Sequence, residues 1–224
     1  MKSTKDHILS HLKRSGGCTV DDLAAEFGLA RMTIRQHLTG LERDGLVKSH
    51  EERGKSGRPH LVFSLTDGGE ELFPKRYDRL ADLVLKEAAR LTAEEITGLD
   101  EDGRKRLLLQ KMVERVYVDH EQKLKGKTLP ERVKLVAEIL REEGGLADWA
   151  ADGSSYEIVD YNCVYRRVVD SHPGVCDWHV SLLGRLLGRK VECSQYMSQG
   201  AESCRFVVRE TAPAMAGPFD LKGE

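Results

Sequence analysis

Long apolar runs are missing from this 224-residue sequence. No stretch approaches the ~20 apolar residues that a membrane-spanning helix needs, so the sequence predicts no membrane-spanning helix. Lys2 and Lys5 are not followed by an apolar segment, so we predict no signal peptide and a cytoplasmic location.

Signatures of catalysis are missing as well. We find no Ser/His/Asp arrangement, no paired carboxylates and no phosphate-binding loop. The sequence therefore predicts no enzymatic activity and no small-molecule substrate. The alternative from another class is an enzyme or ligand-binding protein that uses the cysteines directly.

The charge is small in total but unevenly distributed. A net charge of −2 excludes a uniformly basic nucleic-acid coat. The first 66 residues hold 11 Lys+Arg and 8 Asp+Glu, whereas the remaining 158 hold 24 and 29. This asymmetry indicates a mildly basic head on an acidic body, and the length suits two small domains.

Residues 1–66 follow the order of a winged helix-turn-helix. Helical spacing predicts helices over Asp6–Lys13, from Val20 to Gly28 and over Arg31–Asp44, and two extended runs follow at Leu46–His50 and Leu61–Leu65. Three short helices and then a hairpin are typical of this DNA-binding motif.

The third helix has a polar face opposite its apolar one. Hydroxyl, amide and guanidinium groups of this kind reach base edges and phosphates in the major groove. We predict contacts with double-stranded operator DNA from Arg31, Thr33, Arg35, Gln36 and Thr39 on this helix, and from Arg53, Lys55 and Arg58 at the hairpin tip.

Several segments carry a family resemblance. They are residues 23–29, 33–38 and 41–47, together with Gly57-Arg58-Pro59 and residues 65–69. They resemble the winged-helix domains of bacterial regulators of the ArsR/DeoR/MarR kind. Ala30 departs from that pattern, because relatives usually have a serine or a similar N-cap there.

Residues 67–128 are predicted to be a helical linker. Pro74 is expected to begin a helix that runs to about Arg90, and another helix is expected over Arg104–Lys123. Such helices suit a dimer interface as well as packing within one domain, and we predict a homodimer. Residues 211–224 are predicted to form a flexible tail.

Residues 129–210 are predicted to form an α+β domain that contains Cys163, Cys176, Cys193 and Cys204, so that the whole chain is α+β. These four cysteines are separated by 12, 16 and 10 residues, without the C-x-x-C pairs of zinc ribbons. Spacing alone leaves an iron–sulfur cluster, a zinc site and metal-free thiols open. Cys176 is expected in the first turn of a helix, where its thiolate would be stabilised. Cys18 is expected to be a small buried filler.

A second resemblance covers the cysteine region. Asn162-Cys163-x-Tyr165, His172-Pro173-x-x-Cys176, Leu186-Leu187-Gly188-Arg189 and Ser203-Cys204-Arg205-Phe206 look like the C-terminal domain of SufR-type repressors. That resemblance implies a homodimeric repressor of iron–sulfur assembly genes whose operator affinity depends on a 4Fe-4S cluster. It implies Cys163, Cys176, Cys193 and Cys204 as ligands. His179, three residues after Cys176, could replace one cysteine as a ligand, but we expect it to lie behind the ligands or at the surface. A zinc-, arsenic- or thiol-redox-responsive regulator is the alternative of the same class.

Overall fold

A computed structural model describes residues 3–53 and 59–214. The chain divides into two compact units, Met1–Pro74 and Lys75–Glu224. The first contains the whole predicted DNA-binding segment. Of the predicted linker, one short helix belongs to the first unit and the longer helices to the second. Residues 215–224 of the predicted tail lie outside the described residues.

The first unit contains the three predicted helices, the first of them two residues longer at each end than predicted, and one further short helix. They are α1 (Thr4–Ser15), α2 (Val20–Phe27), α3 (Arg31–Arg43) and the short α4 (Asp67–Glu70). Thr19 caps α2 by a reciprocal exchange with Asp22, and Gly28 ends it in the left-handed region, at φ 62°. Ala30 begins α3 without a side-chain cap, as its sequence implied.

A hairpin follows α3. Strands β1 (Val47–Glu52) and β2 (His60–Leu65) are antiparallel, and Val47 pairs with Leu65. The backbone of Cys18 bridges to Phe63 at the edge of this hairpin, with N–O distances of 3.0 and 2.8 Å. Cys18 is buried, which confirms its prediction as a filler.

The core of the first unit is aliphatic. Ile8, Leu23 and Ile34 are fully buried, one from each of the first three helices, and Phe63 packs from the hairpin. Each helix contributes side chains spaced three or four residues apart, because that spacing makes one apolar stripe. This packing directs the opposite stripe of α3 to solvent.

The helices of the second unit lie before its first strand and between its second and third strands. They are α5 (Tyr77–Ala88), α6 (Ala93–Ile96), α7 (Glu101–Leu124), α8 (Leu129–Glu142), α9 (Arg166–Ser171) and α10 (Gly174–Leu187). The prediction that Pro74 begins α5 is wrong, because the helix starts at Tyr77. The backbone N–H of Arg76 is instead hydrogen-bonded to the carbonyl of Val164, 2.9 Å away.

One antiparallel sheet completes this unit. Its strands are β3 (Ala147–Asp152), β4 (Ser155–Asp160), β5 (Val191–Gln195) and β6 (Cys204–Arg209), in the order β3-β4-β6-β5. The helices pack against it around Trp178, Ile158 and Phe206. The α+β fold class is therefore confirmed. Among the described residues, no helix is long and apolar enough to cross a membrane.

Candidate DNA-binding surface and cysteine site

The exposed face of α3 carries most of the predicted DNA-contacting residues. Arg35, Gln36 and Thr39 are exposed, and Thr33 is half-buried. The opposite stripe of Ile34, Leu38 and Leu41 is at most 1% exposed. The helix therefore presents guanidinium, amide and hydroxyl groups together on one accessible face, as major-groove readout requires.

Arg31 has a partner that sequence reasoning did not foresee. Its guanidinium forms an ion pair with the carboxylate of Asp21 on α2. Both side chains remain exposed, at 67% and 57%. A phosphate that approached Arg31 would therefore compete with Asp21.

Met32 is a second feature that sequence reasoning missed. Its side chain is 66% exposed at the start of α3. Helical spacing places it on the same face as Gln36 and Thr39. An apolar group on such a face is suited to the thymine methyl group.

The hairpin supplies less positive charge than expected within the described residues. Arg53 is exposed just beyond β1, next to the exposed carboxylates Glu51 and Glu52. Lys55 and Arg58, the other two predicted tip contacts, lie outside the described residues.

Sheet register places two of the four C-terminal cysteines at one end of the second unit's sheet. Cys204 begins β6 opposite Asp160, the last residue of β4, and Cys163 follows β4 by three residues. Cys193 is the middle residue of β5, opposite Phe206. Cys176 comes from the first turn of α10. We call these four residues the thiol site.

One segment, Gln195–Ser198, contacts three of these thiols. Cys193 Sγ donates to the carbonyl of Gln195 at 3.1 Å, and the backbone N–H of Met197 donates to Cys204 Sγ at 3.4 Å. Cys176 Sγ and Ser198 Oγ are 3.5 Å apart. No role was predicted for this segment from the sequence. Strand β5 ends at Gln195, after an irregular register beyond Cys193.

Burial raises the pKa of every thiol in the site. The pKa is about 11 for Cys163 and about 12 for Cys204. Burial also raises the pKa of Cys176 and Cys193, and the charges of neighbouring site cysteines add to the effect at Cys163, Cys193 and Cys204. Cys176 lies in the first turn of α10, as predicted, and burial raises the pKa of its thiol there.

Positive charge reaches the site from one described side chain. Arg166 lowers the pKa of Cys163 and of Cys176, although burial dominates both. Its guanidinium donates to the carbonyl of Met197, and so ties α9 to the segment that contacts the thiols. Arg166 therefore has an electrostatic and a positional effect on the site.

The loop that leads to Cys163 is held by buried polar groups. The carboxylate of Asp160 accepts from the backbone N–H groups of Leu146, at 2.8 Å, and Asn162, at 3.1 Å. The Asn162 amide donates to the carbonyl of Gly144 at 2.8 Å. These bonds position Cys163 independently of its own contacts.

His179 lies among aromatic rings. Its ring centroid is 6.2 Å from that of Trp178, 6.3 Å from Tyr165 and 5.6 Å from Phe206. Burial lowers its pKa to about 4, so the imidazole is neutral at neutral pH. Trp178 is 2% exposed and belongs to the core of the second unit.

Over residues 3–53 and 59–214, no group of three or more His, Cys, Asp or Glu side chains is arranged so that it could hold a metal ion. All four thiols of the thiol site are free of disulfides. Their chemistry still corresponds to a ligand set for iron and sulfide, since such clusters are commonly held by four cysteine thiolates.

Comparison with known proteins bears on the N-terminal unit. Residues 2–48 match the model of a winged helix-turn-helix DNA-binding family. No curated protein matches the sequence. Among solved structures, Bacillus subtilis PadR in complex with operator DNA is 17% identical to this chain. That match covers 81% of this chain and 98% of PadR with a TM-score of 0.28, too low to bear on this chain.

The family match and the exposed polar face of α3 define the class of protein. Residues 2–48 belong to a winged helix-turn-helix DNA-binding segment. The second unit is α+β and contains the four free thiols of the thiol site.

Proposed function

We propose that this chain is a homodimeric transcriptional regulator whose affinity for operator DNA is controlled by a 4Fe-4S cluster held by Cys163, Cys176, Cys193 and Cys204. Its targets would be iron–sulfur assembly genes, as the resemblance to SufR-type repressors implies. The observation that carries the proposal is that Cys176, Cys193 and Cys204, from α10, β5 and β6, all contact the segment Gln195–Ser198. Cys163 follows β4, whose last residue pairs with Cys204.

The donor chemistry supports this choice of group. Four cysteines are the common ligand set of a cubane cluster, and the spacing in sequence lacks the paired cysteines of zinc ribbons. Iron and sulfide lie between the ligands of a cubane, so its thiolates stand farther apart than those around a single ion. Thiols that are too widely spaced to bind a single metal ion are therefore compatible with a cluster.

The chain's own groups would stabilise sulfur ligands carrying negative charge. Cys163 accepts from the backbone N–H of Tyr165, and Cys204 accepts from that of Met197. The Ser198 hydroxyl can donate to Cys176, while Arg166 supplies positive charge. Hydrogen bonds to sulfur and nearby charge set the potential of such a centre.

A cluster bound here would supply a centre that oxidants and iron limitation can remove. The segment Gln195–Ser198 contacts three of the free thiols, so binding or loss of a cluster would change its contacts. The cluster would control DNA affinity if the cluster-bound and cluster-free proteins favoured different arrangements of the two subunits. Leu85 on α5 and Val118 on α7 are 70% and 57% exposed, and a partner subunit would cover them.

Metal content tests the proposal first. The full chain would be purified without oxygen and analysed for iron, sulfide and zinc. We expect a broad absorption band near 400 nm and about four iron and four sulfide per chain. Cys163→Ser and Cys176→Ser should lose most of the iron. Cys18→Ala, a matched change in the DNA-binding unit, should keep it.

Other metal contents would contradict the proposal that a 4Fe-4S cluster binds here. About one zinc per chain without sulfide would indicate the zinc-dependent alternative. A protein that takes up neither metal after reconstitution would leave a thiol-based switch. Equal iron content in all three variants would show that these cysteines are not the ligands.

Measurements of DNA affinity test the second part of the proposal, that the cluster controls binding to operator DNA. A duplex selected by the cluster-loaded protein from a random-sequence pool would serve as the probe, and Kd would be measured with and without the cluster. We expect tighter binding with the cluster, since the resemblance implies repression by that form. Equal Kd in both states would remove the cluster from control of DNA binding.

A further inference from the structure

A cavity of about 70 Å³ lies inside the second unit, beside the thiol site. Aliphatic side chains of α5, α7, α8 and α10 form most of its wall. A single water needs only ~10–15 Å³ of such volume. The space is therefore large enough for a small organic molecule. Its polar lining includes Arg79, His120, Glu143, Trp178 and His179.

Three of these polar side chains carry buried atoms with no protein partner. In the described part of the chain, both ring nitrogens of His120, Oε2 of Glu143 and Nε1 of Trp178 lack a hydrogen bond. The Trp178 side chain is 2% exposed, so its N–H has no route to bulk solvent. These unpartnered groups come from three different helices or helix ends and line the same cavity.

Such groups are costly unless something satisfies them. A buried donor or acceptor without a partner costs ~1–3 kcal/mol, and native proteins contain few of them. Several around one apolar cavity are the usual composition of a small-molecule site, where a few polar groups orient a mainly apolar ligand.

The available atoms define what the ligand must offer. The Trp178 N–H can only donate, and Glu143 Oε2 can only accept. Burial and the charges of Lys123 and Arg79 lower the pKa of His120, so its imidazole is neutral, with one donor and one acceptor. A hydroxyl group both donates and accepts, so it suits all three.

The negative charge of Glu143 in the cavity wall is already balanced by a positive one. The other carboxylate oxygen of Glu143 forms an ion pair with the guanidinium of Arg79. A ligand that carried a net charge would leave that charge uncompensated among aliphatic side chains. A neutral ligand avoids this cost.

We propose that this cavity binds a small neutral alcohol, with its carbon body among the aliphatic side chains of α7, α8 and α10 and its hydroxyl among His120, Glu143 and Trp178. Cys163 and Cys204 line the same cavity, so an occupant would lie beside two members of the thiol site. The proposal does not depend on the cluster, since it concerns the chain's own polar atoms.

The Trp178 indole signal gives a direct test. The chain has two tryptophans, and the other, Trp149, is 38% exposed on β3. In ¹⁵N-labelled Trp149→Phe protein, the remaining indole N–H resonance belongs to Trp178. Cyclopentanol, cyclohexanol and 1-butanol would be titrated into this protein, with cyclopentane as the ligand without a hydroxyl.

We expect at least one alcohol to shift the Trp178 signal saturably, and cyclopentane to do so more weakly. His120→Leu should weaken binding of that alcohol about tenfold, because it removes a hydrogen-bond partner. His172→Leu, a matched change at an exposed histidine, should leave the affinity unchanged. The spectrum of each variant reports whether it folds.

Two results would overturn the proposal. The first is a Trp178 signal that none of the three alcohols moves up to its solubility limit, as expected if only water satisfies these atoms. The second is equal affinity for cyclopentane and the alcohols, which would make the cavity an apolar void without hydroxyl recognition. Both measurements use metal-free protein, so a failed cluster proposal would not affect them.

Discussion

Arg185 on α10 and Glu114 on α7 form a bidentate ion pair that joins the two helices. Arg185 Nε lies 2.8 Å from Glu114 Oε1, and Nη2 lies 3.0 Å from Oε2. The same guanidinium lies 3.7 Å from the centre of the Tyr117 ring. A planar guanidinium satisfies both contacts at once, which the ammonium group of lysine cannot do.

Arg185→Lys should therefore destabilise the second unit although it keeps the charge. We expect a loss of about 1–2 kcal/mol, reduced from the value for a buried pair because Glu114 is 40% exposed. Urea unfolding measures it. Arg209→Lys is the control, since its pair with Glu192 is single and more exposed, at 54% and 56%. Equal losses in both variants would contradict the importance of the two-pronged geometry.

The exposed face of α3 makes a prediction about DNA. Arg35→Ala should weaken binding to the selected duplex about tenfold or more, because a guanidinium contact to a base or phosphate is lost. The exposed Arg104 of the second unit provides the control, and Arg104→Ala should not change Kd. If Arg35→Ala protein bound as tightly as wild type, α3 would not be the helix that reads DNA.

Ala30 offers a gain in stability. Its backbone is extended, with φ −64° and ψ 141°, as at the side-chain-capped Thr19. Ala30→Ser should therefore accept a hydrogen bond from a free N–H in the first turn of α3. We expect the first unit to gain about 0.5–1 kcal/mol in unfolding free energy. Ala30→Val, which offers no acceptor, should show no gain. No difference between the serine and valine variants would contradict the capping argument.

His179 and His120 both make the stability of the second unit depend on pH, because burial lowers the pKa of each in the folded state, to about 4 for His179. At His120 the charges of Lys123 and Arg79 also lower the pKa, while Asp119 and Glu143 oppose them. The unfolded state therefore binds the proton more readily. The contribution of His120 is present at pH 7.5 and is lost as the pH falls through about 6.5, the pKa of an exposed histidine.

His120→Leu should flatten this part of the pH dependence. Urea unfolding of wild type, His120→Leu and the exposed-site control His172→Leu would be compared at pH 7.5, 6.5 and 5.5. The control should follow wild type, because an exposed histidine has similar surroundings in both states. A His120→Leu protein that lost stability on acidification as steeply as wild type would contradict the assignment.

Local signals in the sequence predicted most of the elements. The Thr19–Asp22 and Thr92–Glu95 capping boxes begin helices as expected, because each satisfies backbone groups within its own first turn. Errors occurred where a distant segment decided the outcome. Pro74 does not begin α5, since the N–H of Arg76 is bonded to Val164.

The two candidate sites differ in how far sequence could predict them. The polar face of α3 follows from helical periodicity, so its exposed residues were predictable, apart from the misleading apolar Met32. The role of Gln195–Ser198 at the thiol site was not, because its contacts with Cys176 and Cys204 depend on how α10 and β6 pack. The partner of Arg31, Asp21, depends likewise on the approach of α2 to α3.

The sequence by itself determined the winged helix-turn-helix order, the caps and the presence of four well-separated cysteines, since these depend on neighbours a few residues away. Only the tertiary structure decided that strand order β3-β4-β6-β5 places Cys163 and Cys204 at one end of a sheet. It alone surrounded His120, Glu143 and Trp178 with apolar side chains. Burial and pairing between distant segments depend on how the whole unit packs, and that packing sets the pKa values and the unsatisfied atoms.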